Sequence, residues 1–328
     1  MAEMPAGSFS GWMRYSAYGE YKMESTAYET KLFLGRLCLC LVSEVPLTVT
    51  DEIRNFCKEA EQPGKASEKI TVYVRVMKEK IPLPGQRIGE DLLLEYYYED
   101  GRFFAAAKRG IKGNAVVTVY TPDFSETAVY LNEEKFPGMI RRVSKILQLF
   151  PVRQALAGHQ ALILHSSRVL TGGKAVIFTA PSQTGKTTQA RLWKQYGDAE
   201  IVSNDRTLLQ KDKEVFYTAG YPVDGSDPVY SSREIPTGAL VALRQGGRNH
   251  VERLPVRRAL KYLMEQTVAD IWNAEEMGIL QNLWLDFMEK YPVYLLTCTA
   301  DQGAVLCLKE QLMKDGVIPY GIDQRQTL

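Results

Sequence analysis

The segment Val176-Ile177-Phe178-Thr179-Ala180-Pro181-Ser182-Gln183-Thr184-Gly185-Lys186-Thr187-Thr188 constrains this chain more than any other. A strand-length apolar run enters a short loop, and a helix-forming stretch leaves it from Thr187 to Tyr196, where Gly197 supplies a stop. The pattern is G-x-x-x-x-G-K-[ST], a phosphate-binding loop with Ala180 at the first glycine position. Gly185 lets the backbone curl so that successive amides face one polyphosphate, and the following helix turns its positive end to the same point. Lys186 reaches the β and γ oxygens, and the Thr187 hydroxyl can ligate Mg²⁺. Ala180 is small enough for the backbone to pass. Residues Ala180, Pro181, Ser182, Gln183, Thr184, Gly185, Lys186, Thr187 and Thr188 are therefore the expected nucleotide contacts.

A bound triphosphate also needs an acidic metal partner. Ile201-Val202-Ser203-Asn204-Asp205-Arg206 provides one, because a short strand after the loop's helix ends in Asp205. Asp205 with Thr187 is the expected Mg²⁺ site. His165 shares a strand face with Ile163 and Ser167, a period that suits a hydrogen-bonded core histidine as well as a catalytic one. His159 and His250 read as surface residues. Arg206, Arg233 and Arg244 are candidates to steady a γ-phosphate, and nothing in the sequence selects among them.

The other features set the frame. With 328 residues the chain has room for two domains, and 40 Lys+Arg against 39 Asp+Glu leave +1, so neither nucleic acid nor an anionic membrane is an expected partner. No window approaches a membrane span, the first 23 residues lack the apolar stretch of a secretory leader, and Cys38, Cys40, Cys57, Cys298 and Cys307 show no metal-binding spacing. A cytoplasmic location with reduced thiols is the expectation.

Residues 1–138 read as an accessory domain of mainly antiparallel β structure. Ile70, Val72, Val74 and Val76 alternate, and Leu92 to Tyr98, Asp100-Gly101 and Arg102 to Ala106 spell a tight hairpin. Strands are also expected at Ala115 to Tyr120 and Ala128 to Leu131. Tyr96, Tyr97 and Tyr98 suit a half-buried strand better than a binding platform. Residues 139–328 read as α/β. Ile140, Val143, Ile146, Leu147 and Phe150 are spaced for one helix up to Pro151, and strands follow at Ala161 to Leu170 and Lys174 to Thr179 around Gly172-Gly173. Further strands are expected at Glu200 to Ser203, Glu214 to Thr218, Gly238 to Leu243 and Val293 to Thr297. Helices are expected at Val256 to Val268, at Ala274 to Met288 with Asn273 and Glu276 as a capping box, and from Asp301 to Met313.

Five segments, in order and spacing, resemble the HPr kinase/phosphorylase-like proteins of the phosphoenolpyruvate-carboxykinase-like P-loop branch. They are Leu162-Ile163-Leu164-His165-Ser166-Ser167, the phosphate loop, Ser203-Asn204-Asp205-Arg206, Gly220-Tyr221-Pro222-Val223-Asp224-Gly225-Ser226 and Pro292-Val293-Tyr294-Leu295-Leu296. The likeness covers about residues 140 to 315 and none of the first domain. It implies a Mg²⁺-dependent, ATP-using kinase that phosphorylates a hydroxyl of a peptide, protein or small serine-like acceptor, as a possible homo-oligomer. By the same resemblance His165 stands near the reacting phosphoryl group, and Lys186 and Asp205 complete the catalytic set. The family's paired Asp-Asp is Asn204-Asp205 here, so the metal role passes to Asp205 and the base role stays open between His165 and Asp224. The longer downstream HPr kinase signature is missing, so HPr itself is not the expected acceptor. Asn204 also fits a second reading, a nucleotide-binding regulatory or peptide-binding module without transfer activity. Carboxykinase chemistry on an oxoacid fits worst, because no second set of Lys/His metal ligands is present.

Overall fold

The computed structural model describes residues 27–58, 68–78, 82–108, 115–135, 141–222 and 231–319. The first part contains β1 (Tyr28–Leu34), β2 (Leu37–Ser43), α1 (Asp51–Arg54), β3 (Glu68–Met77), β4 (Arg87–Glu90), β5 (Leu94–Glu99), β6 (Arg102–Ala107), β7 (Val116–Tyr120) and β8 (Thr127–Asn132). They form one eight-stranded sheet in the order β1-β2-β3-β8-β7-β6-β5-β4. The sheet is mainly antiparallel, but β2–β3 and β3–β8 are parallel, so its centre departs from a simple meander. The β5–β6 hairpin turns at Asp100 (φ 49°) and Gly101 (φ 79°), the left-handed pair that a two-residue turn requires.

The second part starts with α2 (Val143–Gln148) and α3 (Val152–Gly158). The single helix expected to run from Ile140 to Phe150 is therefore a shorter one, and Pro151, which cannot continue it, caps the next. The chain continues through β9 (Ala161–Thr171), β10 (Lys174–Thr179), α4 (Lys186–Tyr196), β11 (Glu200–Ser203), β12 (Arg206–Asp212), β13 (Val215–Gly220), β14 (Ile235–Gln245), β15 (His250–Arg253), α5 (Val256–Gln266), β16 (Thr267–Val268), α6 (Ala274–Lys290), β17 (Val293–Cys298) and α7 (Gln302–Lys314). The helix expected over Val256 to Val268 stops at Gln266, because the β-branched pair Thr267-Val268 instead joins β9 opposite Leu164 and Ile163. Of the capping box, one half forms: Asn273 accepts from Glu276 N, while the Glu276 carboxylate reaches Asp270 N. His159 is half-buried, its protonation suppressed by burial, and not a surface residue; His250 is exposed.

Alternation along β10, β14 and β17 builds a three-layer unit. Ile177, Leu240, Ala242 and Leu295 pack toward α5 and α6 with Leu263, Leu283, Trp284 and Phe287. Val176, Phe178, Val241, Tyr294 and Leu296 pack on the opposite face with Trp193 of α4 and Val305, Leu308 and Leu312 of α7. A further core joins the two sheets, running from Leu39, Val72 and Tyr96 through Ile146 and Leu156 to Ile163 and Leu208. Tyr96 is buried in it, whereas Tyr98 is exposed. Among the described residues no helix is long and apolar enough to cross a membrane.

Candidate functional site

The phosphate loop leaves the end of β10 and enters α4. Helix α4 is seated by buried Gln189, Ala190 and Trp193, with the Trp193 ring 6.0 Å from that of Phe178, and this fixes the direction of its N-terminus. Gly185 is the N-cap at φ 116°, a conformation open to glycine, and a Cβ built on it would meet open space. Gln183 is also left-handed, at φ 63°. Alternation of hand along a loop turns consecutive amides inward and makes an anion-holding concavity. Because Gly185 has no side chain to cap the first turn, the leading amides of α4 are left for an external acceptor.

Lys186 is buried and its Nζ donates to the carbonyls of Ala180 (2.8 Å) and Pro181 (3.2 Å). The side chain folds back onto the loop it follows. Burial holds its pKa below the ordinary lysine value, and Asp205 partly opposes that shift. Ala180 is buried in the core beneath, while Pro181, Ser182, Gln183 and Thr188 are exposed and Thr184 and Thr187 are half-buried.

Asp205 is delivered by backbone bonding between β9 and the turn before β12. Ser166 N donates to Asp205 O (3.0 Å), Ser167 Oγ donates to Asn204 O (3.0 Å), and Arg206 pairs with His165 in the strand register. On the other side, Thr179 Oγ1 donates to His165 O (2.9 Å), tying β10 to the same point. As a result His165 Nε2 lies 3.5 Å from Asp205 Oδ1, and Arg206 Nε lies 3.7 Å from Asp205 Oδ2. The His165 contact, then Arg206 and Lys186, outweigh burial and hold the Asp205 carboxyl below its ordinary value. His165, Lys186 and Asp205 thus meet at one end of the sheet, beside the loop. Of the segment from Gly220 to Ser226, residues 220–222 are described, and Asp224 lies in the stretch 223–230 outside the described residues.

The donor set suits a phosphate-bound magnesium. A hydroxyl at Thr187 and one carboxylate at Asp205 match an ion that keeps waters and takes most other oxygens from phosphate. Among the described residues no group of three His, Cys, Asp or Glu side chains forms an all-protein metal cage.

The structure separates the three candidate arginines. Arg206 stands beside Asp205, Arg233 pairs with Glu200 (3.3 Å), and Arg244 donates to the Thr297 hydroxyl. One contact had not been anticipated: Gln245 Nε2 donates to Thr184 O (3.4 Å), bracing the loop from the neighbouring strand β14. The signal for it lies in topology, since β14 runs parallel beside β10, and not in local pattern.

No family model matches this chain, and no curated protein matches it. Among solved structures, the HPr(Ser) kinase/phosphatase from Coxiella burnetii is similar over 47% of this chain and 98% of that one, with 9% identity and a TM-score of 0.28. The likeness is distant, and the reading of the site rests on its own residues.

Proposed function

We propose that this protein is a Mg²⁺-dependent, nucleotide-binding phosphotransferase that moves the γ-phosphoryl of ATP to a hydroxyl of a peptide, protein or small serine-like acceptor. The observation that carries the reading is the convergence of Lys186, bound back over its own loop, with the Asp205–His165 pair. Loop amides and Lys186 would hold the β and γ oxygens, and Thr187 and Asp205 would hold the metal. Magnesium, when bound, supplies positive charge that spreads the load on the phosphate oxygens. Asp205, with its carboxyl held low, is a weak base and a good metal ligand. His165, whose Nε2 faces Asp205, is then assigned as the proton acceptor for the acceptor hydroxyl. Positioning and fixed charge would do most of the catalysis.

The test is phosphoryl release or transfer with Mg²⁺ and a panel of peptide and small hydroxyl acceptors, for the wild type beside Lys186→Ala and Asp205→Ala. The proposal expects turnover that falls at least a hundredfold in both variants. Equal rates in wild type and Asp205→Ala refute it.

A second reading has one specific support. Asn204 stands where the resembled family carries the first of two carboxylates, and it is buried. A regulatory module that binds nucleotide without transferring phosphate would bind Mg-ATP tightly and show no turnover above Asp205→Ala with any acceptor.

A further inference from the structure

Arg168 of β9 is wholly buried, and the site described above does not use it. It stands three residues from His165, so the two side chains leave opposite faces of the sheet. Strand β14 pairs with β13, where Ile235 lies opposite Thr218, and also with β10, where Thr237 lies opposite Ala175, so β9-β12-β13-β14-β10 close a ring of pairings. Arg168 crosses from β9 to β13 past the intervening β12: its Nη1 donates to Thr218 Oγ1 (2.8 Å), and that hydroxyl donates onward to Ile235 O (3.2 Å). Leu170, two residues on from Arg168 and on the same face, pairs with Ala175, which pairs with Thr237. Leu170, Ala175 and Ile235 pack in one apolar cluster, so Thr218 and Thr237 both border the region that Arg168 enters.

The remaining nitrogens of Arg168, Nε and Nη2, are buried without an acceptor among the described residues, and the buried Thr237 hydroxyl likewise has no partner there. The charge that acts on Arg168 is that of another arginine, Arg233, which repels it. Burial, then that repulsion, lower its pKa to about 9, which leaves it a cation at neutral pH. A buried charge without a counter-ion is strongly destabilising, and an arginine does not escape by losing its proton. The two unpartnered nitrogens form one edge of the planar guanidinium and point two parallel N–H groups the same way, the geometry that two oxygens of one anion match. A chloride offers that edge a single acceptor.

We propose that Arg168 anchors a buried oxyanion site, in which a small carboxylate, sulfate or phosphate ion takes the Nε–Nη2 edge through two oxygens and the Thr237 hydroxyl is a further donor. The ion neutralises the guanidinium and ties β9 to β13 and β14. The site lies on the face of β9 opposite His165 and does not depend on the nucleotide reading.

Sulfate is the probe, exchanged for chloride at constant ionic strength in thermal melts of the full chain. The wild type should show a saturable rise in Tm of about 3 °C or more by about 20 mM sulfate, and Lys186→Ala should show the same rise, because the phosphate loop is not its source. Arg168→Met, which removes the guanidinium and keeps an unbranched chain, should rise by about 1 °C or less. Arg168→Lys, which keeps the charge without the two-nitrogen edge, should gain less than half of the wild-type rise. Equal rises in wild type and Arg168→Met would make the effect a general action of the salt and overturn the site, as would no rise in the wild type. A rise lost in a folded Lys186→Ala would place the anion on the phosphate loop and overturn it as well. If Arg168→Met does not fold, equilibrium dialysis of radiolabelled sulfate against wild type saturated with Mg-tripolyphosphate decides: about one sulfate bound per chain supports the site, and none overturns it.

Discussion

The imidazole Nε2 of His165 lies 3.5 Å from Oδ1 of Asp205, across the junction where His165 of β9 is paired with Arg206 of β12. The contact is the first cause of the lowered Asp205 pKa. His165→Ala should therefore raise the Asp205 carboxyl toward its ordinary value, read by carbon NMR of the labelled carboxyl. Stability from a lowered carboxyl is complete above the ordinary value of 3.8 and is lost as pH falls through the folded value. The stability advantage of wild type over His165→Ala that comes through Asp205 should accordingly shrink below about pH 4.

Gly185 occupies φ 116° at the turn into α4. Gly185→Ala has space for its methyl but not the backbone freedom, so the loop must shift. A stability loss of about 1–2 kcal/mol by urea titration is expected, with at least a tenfold loss of Mg-ATP affinity. Wild-type affinity in this variant would mean that the loop amides do not hold phosphate.

Arg36, at the tip of the β1–β2 hairpin, reaches the second sheet. It pairs with Glu234 through two nitrogens (2.9 and 3.0 Å) and with Asp212, and its guanidinium lies 4.4 Å from the centre of the Tyr217 ring. Arg36→Ala should cost roughly 2 kcal/mol in urea unfolding, and Arg36→Lys should restore less than half of that, because a lysine cannot bridge two carboxylate oxygens in a plane.

A second inter-sheet contact is pH-sensitive. Arg153 pairs with Asp91 and with Asp270 (2.7 Å), and Asp270 N donates to Glu276 Oε1 (3.1 Å). Burial, then the Asp270 charge, raise the Glu276 carboxyl to about 7. A raised carboxyl means that the folded state holds the proton more tightly, so this contribution to stability falls as pH rises from the ordinary value of 4.5 toward 7. Thermal melts across that range should show the decline, and Glu276→Gln should flatten it.

The strand–loop–helix from Val176 to Tyr196 was legible because its determinants are local: an apolar strand, Gly185, Lys186 and a helix, contiguous in sequence. The position of Asp205 at the end of the next strand was legible in the same way, and the α/β character of residues 139–328 from strand-length and helix-length runs in succession. Strand β12 escaped because Arg206 to Asp212 is recognised through its pairing with β9 and β13, which local pattern does not carry. The parallel β2–β3–β8 junctions, the Arg36–Glu234 bridge and the Gln245–Thr184 brace likewise join residues far apart in sequence. His159 was misplaced because burial beside the end of α3 is a tertiary fact.

The most direct measurement is calorimetric titration of Mg-ATP into the wild type and Lys186→Ala, with melts to show that both are folded. The phosphate-loop account predicts saturable binding by the wild type and at least a tenfold loss in the variant. No binding by the folded wild type, or equal affinity in Lys186→Ala, would contradict it.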